Sequence, residues 1–230
     1  KALADNVQRG DTVLITTGLI APPYMIAEGD GPIAAATLAR AIDVGLDATP
    51  VIVCEGVVVK AMEGLCQAAG LMPSAPDLAL GTPRKVIILP FPLDDEMGRH
   101  EAIRLLDRFK PKAVVAIEKL SKNAKGIYHN GFGIDVSSVQ AKVDYLFDFA
   151  GERGIPTIGV GDGGNEIGMG NVRSRIVRQG PLMARIAAIV KVNHLVVAGV
   201  SNWGAYGIVA QLAGLTGTAL VHTPALERSL

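Results

Sequence analysis

The chain has 230 residues and no formal net charge, its 22 Lys+Arg balanced by 22 Asp+Glu. That balance argues against a nucleic-acid or membrane-surface partner, since both favour a basic excess. No apolar run reaches the roughly 20 residues that span a bilayer. With 49% hydrophobic and only 4% aromatic residues, the chain is globular rather than disordered, and aliphatic side chains and alanine must build its core.

Continuous apolar, β-branched runs alternate along the chain with helical spacing. Residues 12–16 read as a first strand, followed by Thr17-Gly18, Pro22-Pro23 and Glu28-Gly29-Asp30-Gly31-Pro32. Pro32 suits the first turn of a helix over 33–44, and Asp30 reads as its cap or as a site residue. A second strand over 50–54 runs into Glu55, and a helix over 58–69 carries Cys66. Residues 73–83 form a polar, proline-bearing loop. A strand over 85–89, a helix over 96–109 and a strand over 113–117 follow, the last ending on Glu118 and Lys119. Glu118 closes an apolar run, so it is either half-buried with a raised pKa or salt-bridged to Lys119 or Lys122. Residues 124–138 are a glycine-rich, aromatic excursion containing Tyr128-His129-Asn130, and a helix is expected over 139–153.

The strand expected over 157–160 opens the most informative stretch. Between Gly159 and Asn171, six of thirteen residues are glycine, interspersed with Asp162, Asn165 and Glu166. Glycine costs backbone entropy and supplies positive φ or close approach, so this pattern serves a small polar-ligand site better than packing. Gly159, Gly161 and Gly164 also match the dinucleotide fingerprint, but no acid follows at the expected spacing to hold a ribose. Asp162 would also face the pyrophosphate, so NAD or FAD is disfavoured. Arg173, Arg175, Arg178 and Arg185 read as a solvated face, with Arg173 able to reach back to a substrate carboxylate. Residues 182–192 fit strand or helix. A strand over 195–200 leads to Ser201-Asn202-Trp203-Gly204 and a helix over 203–215, and 219–221 is a candidate seventh strand.

Continuous apolar strands are those buried on both faces, as in parallel sheets. The fold expected is therefore a single α/β domain over 1–230: a doubly wound, mainly parallel, Rossmann-like sheet of six or seven strands with helices on both faces. The two cysteines, Cys54 and Cys66, lack metal-binding spacing and read as reduced, buried thiols of a cytosol-like compartment, the mitochondrial matrix for a eukaryotic source. His100, His194 and His222 read as structural or solvated. No initiator Met opens the chain and Thr223-Pro224 reads as a late helix cap, so flanking residues are expected at both ends.

Ligands of such sheets bind outside the carboxyl ends of the strands, and polar residues cluster there. Thr17, Gly18, Asp30, Glu118, His129, Asn130, Asp162, Ser201 and Asn202 are candidates, with the loops from Thr17, Glu118, Asp162 and Ser201 expected to line one pocket. Ser201 or Asn202 would cap the last long helix and offer an anion site at its N-terminus. Four blocks then resemble the C-terminal domain of the D-glutamate cyclase family: Gly161 through Asn171, Glu28 through Pro32, Glu118 with Gly126-Ile127-Tyr128-His129-Asn130, and Ala198 through Gly204. The resemblance implies an α/β fold and conversion of D-glutamate to 5-oxo-D-proline and water. Cyclisation needs a base for the amine and an acid or metal for the leaving oxygen. Asp162 and Glu166, brought to one side by a helical turn, are the first candidates and Glu118 the next. Backbone N–H groups of Gly163 and Gly164, with Asn165 beside them, would hold a substrate carboxylate. Alternatively Asp30, Asp162 and Glu166 would bind Mg²⁺ or Mn²⁺, although no cofactor is certain. The partner expected is a small dicarboxylate, and a homo-oligomer stays open. A sensor of small acidic metabolites and a Mg-dependent phosphate- or nucleotide-handling enzyme are the rival readings. The second lacks G-x-x-x-x-G-K-[ST].

Overall fold

The computed structural model describes residues 1–221. After helix α1 (Ala2–Asn6), strand β1 (Thr12–Thr17) enters the core. A small antiparallel hairpin, β2 (Ile20–Ala21) and β3 (Ile26–Ala27), precedes helix α2 (Pro32–Leu46). Then come β4 (Thr49–Cys54), α3 (Val59–Ala68), β5 (Met72–Pro73), α4 (Pro76–Ala79), β6 (Lys85–Pro90), α5 (Asp95–Phe109) and β7 (Ala113–Ile117). The last third holds α6 (Asp144–Glu152), β8 (Thr157–Gly161), α7 (Arg173–Ile176), α8 (Pro181–Ile186), β9 (His194–Val197) and α9 (Ser201–Thr216).

Seven strands form one sheet in the order β5-β6-β4-β1-β7-β8-β9, and every neighbouring pair is parallel. This is the doubly wound α/β sheet the apolar runs imply. Burial on both faces is visible within β1. Val13 and Ile15 pack into the core shared with α2 and α9, while Leu14 packs into the opposite core with Leu105, Leu106 and Leu146. From β1 the chain winds first to β4 and later to β7, so the topological switch point lies between β1 and β7. Cys54 and Cys66 are buried, and burial pushes both thiols up to about 12; such thiols are structural rather than reactive. No helix among the described residues is long and apolar enough to cross a membrane.

Three boundaries differ from the sequence reading. The seventh strand is Met72–Pro73, which pairs with Lys85 and Val86, whereas Ala219–Val221 forms a 3-10 turn. Residues 140–143 are not helical. The Gln140 amide bonds both the N–H and the C=O of Ile20, and the Ala141 N–H donates to Glu55 Oε1. These contacts hold the segment extended until α6 begins. The ambiguous stretch 182–192 resolves into α8 and an extended tail, with the Ala188 N–H donating to the Gly164 carbonyl at 3.0 Å. The cap at Thr223-Pro224 and His222 lie outside the described residues; His100 and His194 are exposed.

Candidate active site at the switch point

The β1 and β7 ends make the floor of the site. Past β7, Glu118 takes a left-handed backbone conformation (φ 45°), a costly one for a residue with a side chain. Its N–H stays bonded to the Val160 carbonyl at 3.0 Å. Its Oε2 accepts a hydrogen bond from Ser201 Oγ at 2.5 Å. Gly31 is the obligate neighbour. With φ 96°, it brings the α2 N-terminus so close that a Cβ would lie 2.6 Å from Thr17 Oγ1 and 2.8 Å from Glu118 Cβ.

Two helix starts meet above this floor and cap each other. The Asp30 carboxylate accepts from the N–H groups of Ser201 (2.9 Å) and Asn202 (2.6 Å), so it caps α9. Asn202 Oδ1 accepts from the N–H groups of Gly31 (2.9 Å) and Ala34 (3.2 Å), so it caps α2. This corrects the sequence expectation that each would cap its own helix. It also corrects the anion site expected at the Ser201-Asn202 N–H groups, because Asp30 already fills it. Gly204 serves packing, since a Cβ there would lie 2.7 Å from Val160 Cγ1.

The glycine-rich loop is closed from within. Residues 162–165 are bends, with no helical turn between Asp162 and Glu166. Glu166 is buried, and its two carboxylate oxygens accept from the Gly163 and Gly164 N–H groups at 2.8 Å each. Those N–H groups are therefore not the carboxylate cradle expected of them. Asn165 donates to the His129 carbonyl, and Asn130 Oδ1 accepts from Phe132 and Ile134 within its own turn. His129 is buried beside Asn123, its pKa lowered by burial; its charged neighbours are Asp135 and Arg185, not the acids at the switch point.

What converges is a set of acids. One carboxylate oxygen each from Asp30, Glu118 and Asp162 lies within 4.8 Å of the others. Glu118, not Glu166, completes this set, because both Glu166 oxygens are held by the loop backbone. Burial, then Glu166, pushes the Glu118 carboxyl up to about 9, with the Ser201 hydrogen bond opposing and Asp162 and Asp30 adding to the rise. Burial raises Glu166 to about 7, against its backbone hydrogen bonds and with Asp162 adding. Asp162 is raised by burial and by Asp30, with a hydrogen bond to Glu166 opposing. Glu28 is raised by burial, Asp30 and Asp162. No lysine or arginine is among the groups that cause these shifts, so Arg173 exerts none of them. The expected salt bridge of Glu118 is absent among the described residues as well: Lys119 pairs with buried Glu55 and donates to the Gly18 carbonyl at 2.7 Å, and Lys122 pairs with Asp148.

The sequence reading passed over Glu28 as a site acid and over the buried Lys119–Glu55 pair beneath the floor. Glu55 and Lys119 had a signal, each standing just past a strand read from the sequence; Glu28 follows the two-residue β3, too short to read. Carboxylates in this number suit a hard divalent cation, and Asp30, Glu118 and Asp162 have the right donor chemistry for Mg²⁺ or Mn²⁺. Buried Thr17 Oγ1 has no hydrogen-bond partner among the described residues and lies close to Gly31, as Glu118 does.

Residues 2–230 match the family described as "D-glutamate cyclase-like, C-terminal". The chain belongs to this family. A curated relative, the human "D-glutamate cyclase, mitochondrial", is 38% identical over 121 residues, which cover 51% of this chain and 19% of the human protein. The chain thus aligns with about a fifth of that relative's length. Among solved structures, a short-chain type dehydrogenase/reductase from Mycobacterium ulcerans covers 91% of this chain and 65% of its own, at 14% identity and a TM-score of 0.39. The assignment of a D-glutamate cyclase-like domain to the doubly wound class rests on its strand order rather than on that likeness.

Proposed function

We propose that this domain closes D-glutamate to 5-oxo-D-proline with release of water. The observation that carries the reading is the Asp30–Glu118–Asp162 carboxyl cluster at the switch point, where burial and neighbouring acids keep Glu118 protonated at neutral pH. The name of the human relative points the same way. An acid cluster whose shifts no lysine or arginine among the described residues offsets attracts the substrate's α-ammonium and holds it beside a base.

The ring nitrogen must shed two protons and the departing oxygen must gain two. Asp162, the most exposed of the three acids, takes the first proton from nitrogen, and Glu118 gives one to the γ-oxygen as the C–N bond forms. In the second transfer the roles exchange: Glu118 recovers a proton from nitrogen and Asp162 releases its own to complete water. Each such transfer is worth about 10²–10⁴ in rate. Ser201 holds Glu118 Oε2 and leaves the other oxygen for the substrate. Glu166 positions Asp162 through the glycine loop. Where a divalent ion binds, Asp30, Glu118 and Asp162 would hold it, and its chemistry is Lewis-acid polarisation of the γ-carboxyl, which also offsets the substrate's two negative charges.

Incubation with D-glutamate, followed by chiral separation of 5-oxoproline, tests the reading. Turnover that falls by about 10²-fold or more in folded Asp162→Asn and Glu118→Gln supports it. Binding of an acidic metabolite with no turnover, with or without Mn²⁺, replaces it with a sensor.

A further inference from the structure

A groove of about 540 Å³ opens beside the acid cluster. Its walls are apolar: Ile26 of the β2–β3 hairpin, Ile33 at the start of α2, Val57, and Ala61 and Leu65 of α3. Glu28, Gly29 and Pro32 line one side of it, and Asp30 of the acid cluster stands between Gly29 and Gly31 in the same turn, so the groove adjoins the cluster on its Asp30 side. Lys60 supplies a cation to the groove wall. Gly64 lines the groove, and a Cβ there would enter open space, with nothing within 4 Å. Val57 and Ile26 are more than half exposed, so two of the groove's apolar side chains stand open to a ligand. Free glutamate, with three carbons (one methine and two methylenes) between its two carboxylates, has nothing to place there.

We propose that the groove takes the amino-acid portion of a γ-D-glutamyl amino acid with an apolar side chain, the carboxylate of that portion directed to Lys60, so that the domain closes the ring by expelling an amine. The inference rests on the reading of the acid cluster as a glutamate-cyclising centre. The α-nitrogen attacks the γ-carbonyl carbon, the ring C–N bond forms and the γ C–N bond breaks. The two protons lost by the α-nitrogen end on the departing nitrogen, which leaves as an ammonium, and no water is consumed or formed. Glu118 is placed to protonate that nitrogen. An amide also presents the acid cluster with one negative charge fewer than free glutamate at the γ-position, and its carbonyl carbon is a better electrophile than that of a carboxylate.

The experiment compares kcat/KM of the wild-type chain on D-glutamate, γ-D-glutamyl-glycine, γ-D-glutamyl-alanine and γ-D-glutamyl-leucine, reading both 5-oxo-D-proline and the released amino acid. Burying a leucine side chain predicts a preference for the leucine over the glycine substrate of about tenfold or more. Gly64→Leu, which grows into the open space of the groove, should bring the two to within about twofold of each other. Closure of D-glutamate with no gain from glycine to leucine overturns the inference and leaves the glutamate reading standing. A graded dipeptide series with inert D-glutamate supports the inference and removes free glutamate as the substrate. If no substrate closes, both fall.

Discussion

Asp30 and Asn202 exchange helix caps across the site. Asp30 closes the N-terminus of α9 and Asn202 closes that of α2, so residues 172 positions apart in sequence lock two helix starts into one rigid rim. The exchange also fixes the position of Asp30 in the acid cluster. Losing a cap typically costs about 1 kcal/mol. Asn202→Ala and Asp30→Ala should each lower the unfolding free energy by about that amount. Because the two caps brace the same rim, the double variant should lose less than the sum, as a denaturant-unfolding cycle would read.

Gly31→Ala tests the close approach of α2 to the floor. The new Cβ would meet Thr17 Oγ1 at 2.6 Å with φ at 96°, so clash and backbone strain act together. A loss of about 2 kcal/mol or more is expected in urea unfolding, together with loss of turnover. A variant with wild-type stability would contradict the packing described.

Stability should fall as pH rises. Glu118 and Glu166 have folded pKa values of about 9 and about 7, above the ordinary 4.5. The folded state therefore binds more protons than the unfolded one between those values. Their contribution is fully present below the ordinary carboxylate pKa and is lost as pH rises through the folded values. Melting temperature measured in chelator should decline across that window, and Glu118→Gln should flatten the decline above neutrality. A melting temperature that climbs from acid to alkaline pH would refute the buried-acid account.

A divalent ion should stabilise the same three carboxyls. Saturating Mn²⁺ or Mg²⁺ stabilises the folded state by mass action. The melting temperature of the wild type should rise on addition, with little response in Asp162→Asn. An equal rise in both would place the ion elsewhere.

Glu166 separates what the sequence shows from what only coordinates can. The strands were legible because each is a continuous apolar run, and so were the polar residues at their ends, because strand ends follow from the runs. Asp162 and Glu118 belong to that readable set. The direction of Glu166 does not follow from its spacing, because the glycines around it remove any helical periodicity and turn its carboxylate back onto Gly163 and Gly164. The exchange of caps was hidden for a similar reason. Asp30 and Asn202 each look like local caps, and only the tertiary approach of α2 to α9 decides which helix each serves. The strand Met72–Pro73 is two residues long, too short for any period to register.

The most direct test is the pH profile of kcat/KM for D-glutamate closure by the wild type and by Glu118→Gln. With Glu118 as the acid, the wild-type rate falls above about pH 9, and folded Glu118→Gln loses that alkaline limb together with about 10²-fold or more of the rate. A folded Glu118→Gln with wild-type kcat/KM and an unchanged alkaline limb would contradict the account.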